Sequence, residues 1–204
     1  MRVLLFSGGI DSTALAWTER PDALFFVDYG QLAAKGEHRA AVALSDVLGI
    51  PLEIRRADLR SFGAGTMIGG APANPLAPEF WPFRNQVLVT LAVMAHADRQ
   101  PLDVLIGTVA GDSVHPDGND VFVEAMNAVL AVQGAYRLRA PAMGLDAADL
   151  LRLAGMPGEI LGWTFSCHTG EWACGQCRGC LKHDELKAGY LNVLGSLNDL
   201  GRQP

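Results

Sequence analysis

Before residue 167 the chain has no cysteine, and all four of its cysteines fall between 167 and 180. That excludes a chain-wide disulfide framework and marks a local device. Long apolar runs are missing as well: nothing approaches the ~18 consecutive apolar residues of a membrane-spanning helix. Positive charge is not in excess. The net charge of −6 gives no global field for nucleic acid or an anionic membrane, so neither is expected as a partner. No internal repeat or low-complexity tract is present. Residues 1–6 are too short to serve as a signal peptide, so a cytoplasmic location is expected. What the chain does have is 204 residues, 50% of them hydrophobic, enough for one α/β domain with a full core and a small appendage.

The richest stretch is Ser7-Gly8-Gly9-Ile10-Asp11-Ser12. It follows the apolar run Val3-Leu4-Leu5-Phe6 and precedes Thr13-Ala14-Leu15-Ala16-Trp17, which reads as a helix start. Strand, glycine turn and helix start together make a phosphate cradle. Gly8 and Gly9 reach backbone angles closed to other residues and let an anion approach the main chain. The first N–H groups of a helix lack internal partners and sit at the positive end of its dipole, so an anion there meets several donors. Ser7 and Ser12 add hydroxyl donors. Ionised Asp11 cannot donate to a phosphate, which leaves it to orient the loop or help hold a magnesium ion. The competing reading is a plain Gly-Gly turn with a serine or aspartate cap. No Gly-Lys-Ser/Thr follows, so this is not a Walker motif.

Strands are expected at 2–6, 23–27, 51–54, 103–107 and 136–140, with helices at 12–19, 37–48, 87–97, 121–132 and 146–153. The alternation predicts a parallel α/β sheet, and a phosphate loop after the first strand places that strand centrally, in the order 3-2-1-4-5. Asp28-Tyr29-Gly30-Gln31 ends the second strand and should lie beside the loop, since ligands sit beyond the carboxyl ends of such strands. Residues 60–83, rich in glycine and proline, read as a lid or substrate loop, with an inert surface insertion as the alternative. Arg84 and Asn85 open the next helix at an anion-friendly terminus; a simple cap and a solvated arginine are the bland alternatives. The loop Thr108–Asp120 is dense in acceptors, and Glu124 and Asn127 share one side of the helix after it.

Cys167, Cys174, Cys177 and Cys180 have the spacing C-x6-C-x2-C-x2-C. Thiolates so spaced can wrap tetrahedrally around one structural zinc. Two disulfides or an iron–sulfur cluster are the alternatives. The expected organisation is an α/β domain over 1–160 and a zinc-binding segment over 161–204 packed on it.

The loop, Tyr-Gly-Gln, Arg84-Asn85, Pro116-Asp117 followed by Phe122-Val123-Glu124-Ala125-Met126-Asn127, and Ser166-Cys167 with three later cysteines stand in one order. Together they resemble the 7-cyano-7-deazaguanine synthase (QueC-like) family of N-type ATP pyrophosphatases over nearly the whole chain. The resemblance implies a Rossmann-like (HUP-type) sheet and ATP-dependent adenylation of 7-carboxy-7-deazaguanine. Ammonia would then give an amide, and a second activation a nitrile. ATP, magnesium and structural zinc are implied as cofactors. Ser7, Asp11, Ser12 and Arg84 take the catalytic roles. Ser7, Gly8, Gly9, Asp11, Ser12, Tyr29, Gln31 and Asn85 hold the nucleotide. Asp117, His115, Glu124 and Asn127 face the substrate, with Asp117 able to accept from a guanine-like N1–H and exocyclic amine together.

The chain departs from that pattern at identifiable places. His115-Pro116-Asp117-Gly118-Asn119 stands where the family usually has Tyr-Pro-Asp-Cys-Arg. Ala147 stands where a lysine is usual, leaving Lys35 or Arg84 to substitute, and His183 where an arginine is usual. An alternative is therefore a relative from an antiphage operon that stops at the amide or couples the activated deazaguanine to an amine of a partner protein. A tRNA-thiolating pyrophosphatase would want a basic surface and a cysteine near the core, which are missing. A non-catalytic nucleotide-binding protein would fit Ala147. A homodimer is compatible with the sequence.

Overall fold

The central strand β1 (Arg2–Leu5) is apolar from Val3 onward because both of its faces are covered. In the computed structural model, which describes residues 1–72 and 77–200, it is flanked by β2 (Ala23–Asp28) and β4 (Leu102–Leu105), with β3 (Leu52–Arg56) and β5 (Tyr136–Arg139) at the edges. The order is β3-β2-β1-β4-β5, all pairs parallel. This is the Rossmann-like arrangement expected from the sequence.

Side chains alternate between two apolar layers. Val3, Phe25, Val27, Val104 and Ile106 share one layer with α3 (Arg84–Ala95) and α4 (Asp120–Gln133). Leu4, Leu24, Phe26 and Leu105 share the other with α1 (Ile10–Glu19), α2 (Ala34–Leu48) and α5 (Ala147–Ala154). Asp146 caps α5, accepting from the Asp149 N–H at 2.6 Å.

The C-terminal stretch contains more than a metal segment. A long helix, α6 (Arg178–Leu200), packs Leu186, Tyr190 and Leu194 into the same layer as α1 and α5. These residues recur every fourth position, the helical signature, and the Tyr190 hydroxyl donates to the Met156 carbonyl at 2.8 Å. The stretch expected as a lid folds into two short 3₁₀ turns, Arg60–Phe62 and Thr66–Ile68. Met67 and Trp81 tie it down beside Tyr29. Its residues 73–76, like 201–204 of the expected zinc segment, lie outside the described residues. Among the described residues, no helix is long and apolar enough to cross a membrane.

Candidate functional site

A cavity of about 390 Å³ opens beyond the carboxyl ends of β1, β2 and β4. Ser7, Gly9, Asp11 and Ser12 form one wall; Tyr29, Arg84, Asn85 and His115 form others. The loop is shaped by its packing. Gly8 has φ 75°, and a Cβ there would stand 2.8 Å from Ala40 Cβ and 2.9 Å from the Ala41 nitrogen. Gly107, ending β4, lets the chain pass close to Ser12: its Cβ would lie 3.3 Å from Ser12 Cα. Gly9 caps α1 with no side-chain acceptor, so the first-turn N–H groups are left for a ligand. The Ser12 and Thr13 hydroxyls both donate to the Gly9 carbonyl, at 3.0 and 2.8 Å, and fix the turn from behind.

Asp11 holds the strongest charge in the loop. Burial pushes its carboxyl up, and Lys182 only partly restores it. Lys182 Nζ donates to Asp11 Oδ2 at 2.7 Å, while Asp11 Oδ1 is buried and unpartnered. An orphaned carboxylate oxygen beside free helix N–H groups suits a divalent cation bound with an anion.

The second wall is a connected polar group. The Tyr29 N–H donates to Gln31 Oε1 at 2.9 Å, and Gln31 Nε2 donates to Glu37 Oε2 at 2.6 Å. Burial pushes Glu37 up to about 7, against the pull of Gln31 and Arg84. Arg84 is half-buried. Burial opposes its charge, but Tyr29, Asp117 and Glu37 around it keep the guanidinium firmly protonated. Phe83, before it, takes the left-handed φ of 62°, a strained angle for a bulky residue that sets how Arg84 enters the cavity.

The third wall joins distant segments. Arg178 Nη1 donates to Glu79 Oε1 at 3.1 Å, and His115 Nε2 lies 3.5 Å from the same oxygen. Burial works against the Glu79 carboxylate, yet His115 and Arg178 hold it down at about 2. Phe80 stacks on His115, ring centroids 5.5 Å apart.

Several expected residues stand elsewhere. Gly8 packs behind the loop, and Gln31 supports Tyr29 and Glu37 from outside the wall. Asp117 is buried at the N-terminal end of α3: its Oδ2 accepts from the Asn85 N–H at 3.2 Å, its carbonyl accepts from Asn85 Nδ2 at 2.9 Å, and its Oδ1 is unpartnered. Asn127 spends its amide on β5, donating to the Leu138 carbonyl at 3.0 Å and accepting the Leu138 N–H at 2.8 Å. Glu124 is exposed on α4. Neither Glu124 nor Asn127 lines the cavity. Lys35, the expected stand-in for the missing lysine, pairs with Glu171 at 3.3 Å and also stays outside. Ala147 is buried in the helix layer. The cation at the loop is Lys182, which no motif in the sequence marks. Glu37, Glu79 and Arg178 are likewise unmarked in the sequence and line the same cavity.

The four cysteines converge, their Sγ atoms all within 4.8 Å of one another. Cys174 and Cys180 are 3.9 Å apart, and Cys167 and Cys177 4.0 Å. Thiolates bound to zinc at about 2.3 Å in a tetrahedron stand roughly 3.8 Å apart, so the cluster fits a zinc ion. All four are free of disulfides. The Cys177 and Cys180 N–H groups donate to Cys174 and Cys177 Sγ, at 3.3 and 3.4 Å, which favours thiolates. The same segment touches the loop, the Phe165 N–H donating to the Gly8 carbonyl at 2.9 Å.

The sequence is similar to those of known proteins over most of its length. The 7-cyano-7-deazaguanine synthase 1 of Desulfitobacterium hafniense is 34% identical over 198 residues, 90% of this chain and 89% of the relative. The 7-cyano-7-deazaguanine synthase of an Anaeromyxobacter species is 33% identical over 206 residues, 88% of each chain. That of Pseudomonas paraeruginosa is 30% identical over 200 residues, 87% of this chain and 89% of the relative. Among solved structures, NMN synthetase from Francisella tularensis superposes with a TM-score of 0.49 at 16% identity, over 91% of this chain and 74% of the other. The family described as queuosine biosynthesis protein QueC matches residues 1–190, and the chain belongs to that family.

Proposed function

We propose that the cavity binds ATP and adenylates the carboxylate of 7-carboxy-7-deazaguanine, after which ammonia displaces AMP. The observation that carries this reading is the loop itself: free first-turn N–H groups and an orphaned Asp11 oxygen on one wall of a cavity about 390 Å³ in volume. The substrate carboxylate attacks the α-phosphorus. The α–β oxygen bridge breaks and pyrophosphate leaves toward the loop, where the first-turn N–H groups and the Ser7 hydroxyl meet its charge, with Ser12 holding the turn through the Gly9 carbonyl. Arg84 faces the same space and offsets charge on the α-phosphate. Asp11 would hold a magnesium ion, which when bound adds positive charge beside the phosphates. Ammonia then attacks the acyl carbon, the bond to AMP breaks, and the nitrogen loses a proton to give the amide. In a second activation the amide oxygen attacks the α-phosphorus of another ATP and pyrophosphate leaves; the oxygen then departs with AMP as the nitrogen loses its two protons, giving the nitrile.

The flat substrate needs an apolar face and a carboxylate that can accept from adjacent N–H groups. The His115 ring, which lines the cavity and is backed by Phe80, and Glu79, whose Oε2 is unpartnered, supply both. In this reading Glu79 takes the role first expected of Asp117: each carboxylate has one bonded and one unpartnered oxygen, but Glu79 lines the cavity and Asp117 does not.

The test is product analysis by mass spectrometry after incubation with ATP, magnesium and 7-carboxy-7-deazaguanine, with and without ammonium. AMP with a nitrile is expected. An amide alone would shorten the cycle, a mass increment on protein would change the acceptor, and no AMP under any condition would overturn the reading.

A further inference from the structure

Cations are scarce at the cavity wall. Among the described residues lining it, the lysines and arginines are Arg84, Arg178 and Lys182. Arg178 is bonded to Glu79 at 3.1 Å, and Arg84 sits between Tyr29, Glu37 and Asp117. Lys182 is the one of the three whose partner is in the loop, Asp11 at 2.7 Å. The pair spans 171 residues of sequence. The Lys182 side chain is 41% exposed, so it stands at the mouth with room to move.

Its position is imposed from the C-terminal side. Lys182 lies at the start of the second turn of α6, two residues beyond Cys180. The thiolate cluster fixes the start of that helix, and the Phe165–Gly8 hydrogen bond stitches the same segment to the loop backbone. The lysine is thus carried to the loop by a turn whose shape depends on the four cysteines.

We propose that Lys182 is the phosphate-binding cation of the loop, resting on Asp11 until a nucleotide arrives. This deepens the proposed function and rests on its reading of the cavity as an ATP site. A polyphosphate brings more negative charge than a single carboxylate. Lys182 Nζ then moves its hydrogen bonds from Asp11 to a phosphate oxygen, breaking no covalent bond and moving no proton. Both Asp11 oxygens become free for a divalent cation. A flexible stem carrying a compact charge and three donors suits such an exchange. If the pair were only a clamp between α1 and α6, removing it would change stability and leave nucleotide affinity alone.

The experiment is equilibrium titration of ATP into the zinc-loaded full chain, with no carboxylate substrate present, with and without magnesium. Lys182→Met is expected to weaken ATP binding by about 10- to 100-fold, the range of a lost charge-assisted contact, with zinc still at one ion per chain. Lys182→Arg should recover most of that loss. Asp11→Asn should tighten magnesium-free ATP binding in the wild-type background by more than in the Lys182→Met background, because only the former has a lysine to release. Unchanged affinity in Lys182→Met, or an equal gain from Asp11→Asn in both backgrounds, overturns the proposal. If Lys182→Met loses zinc or fold, Lys182→Gln and the Asp11→Asn comparison decide it by the same criteria. A wild-type chain that binds no ATP at millimolar concentration would refute the ATP site itself, an outcome distinct from an ATP-binding chain indifferent to Lys182.

Discussion

Two regions meet at the cavity, and they are built on opposite plans. The Ser7–Ser12 loop is local: one strand end, one glycine turn and one helix start, with backbone N–H groups as its working parts. The Ser166–Lys182 segment works through side chains brought in from the far end of the chain, and it owes its shape to four thiolates. The loop's conformation is enforced by contacts with α2 behind it. The segment's four cysteines are placed to fit a zinc ion. One cavity therefore has a wall built on the sheet and a wall built beside that cluster.

The largest effect should come from breaking the second wall. Cys177→Ser removes one of four ligands. Metal binding and local folding are coupled in such sites, so we expect loss of zinc, a thermal midpoint about 5–10 °C lower and proteolytic cleavage confined to about 164–185. Calorimetry, metal analysis and limited proteolysis read these separately. A zinc-free chain with the wild-type midpoint and no new cleavage would mean that the second wall stands without its metal.

The first wall should break differently. Gly8→Ala puts a Cβ at φ 75° and 2.9 Å from a backbone nitrogen of α2, where nothing flexible can give way. We expect a loss of about 1–3 kcal/mol in denaturant unfolding, full zinc content and reduced pyrophosphate release. Lost zinc in Gly8→Ala would show the two walls to be one cooperative unit.

Glu37 sharpens the comparison through pH. Its native pKa stands at about 7, above the ordinary value of 4.5. Between about pH 4.5 and 7 the native chain binds more protons than the unfolded one, so this group makes stability fall as pH rises through that window and level off above it. Glu37→Gln should remove that slope, leave stability near pH 4 unchanged and raise it by about 1–3 kcal/mol at pH 8. A parallel pair of stability–pH curves would show that the carboxyl is not held in the form its burial favours.

How much of this was legible in the sequence follows the same division. Strand order, loop and cysteine cluster could be read because each is written in neighbouring residues: apolar runs, a Gly-Gly turn, a cysteine spacing. Lys182, Glu79 and Arg178 could not, because their roles arise only when segments 99 or 171 residues apart meet. A lysine two places after a cysteine carries no periodic or steric signature of its partner. The helix α6 did leave a trace in Leu186, Tyr190 and Leu194, but its polar first turn and the cysteines before it drew the reading toward a metal segment alone.

Helix α4 is the control for both walls, because motif resemblance placed two of its residues at the substrate and the fold does not. Asn127 clasps the Leu138 backbone from both sides, so Asn127→Ala should cost about 1–2 kcal/mol of stability with KM unchanged. Glu124 projects into solvent, and Glu124→Ala should stay within about 0.5 kcal/mol of wild type with kcat and KM both unmoved. The pair is more informative than either alone. A motif can persist because it touches substrate or because it holds a strand that others depend on, and the two causes separate in the ratio of stability loss to KM change. A raised KM in Glu124→Ala, with stability intact, would mean that α4 swings toward the cavity when substrate is bound, making it a third wall.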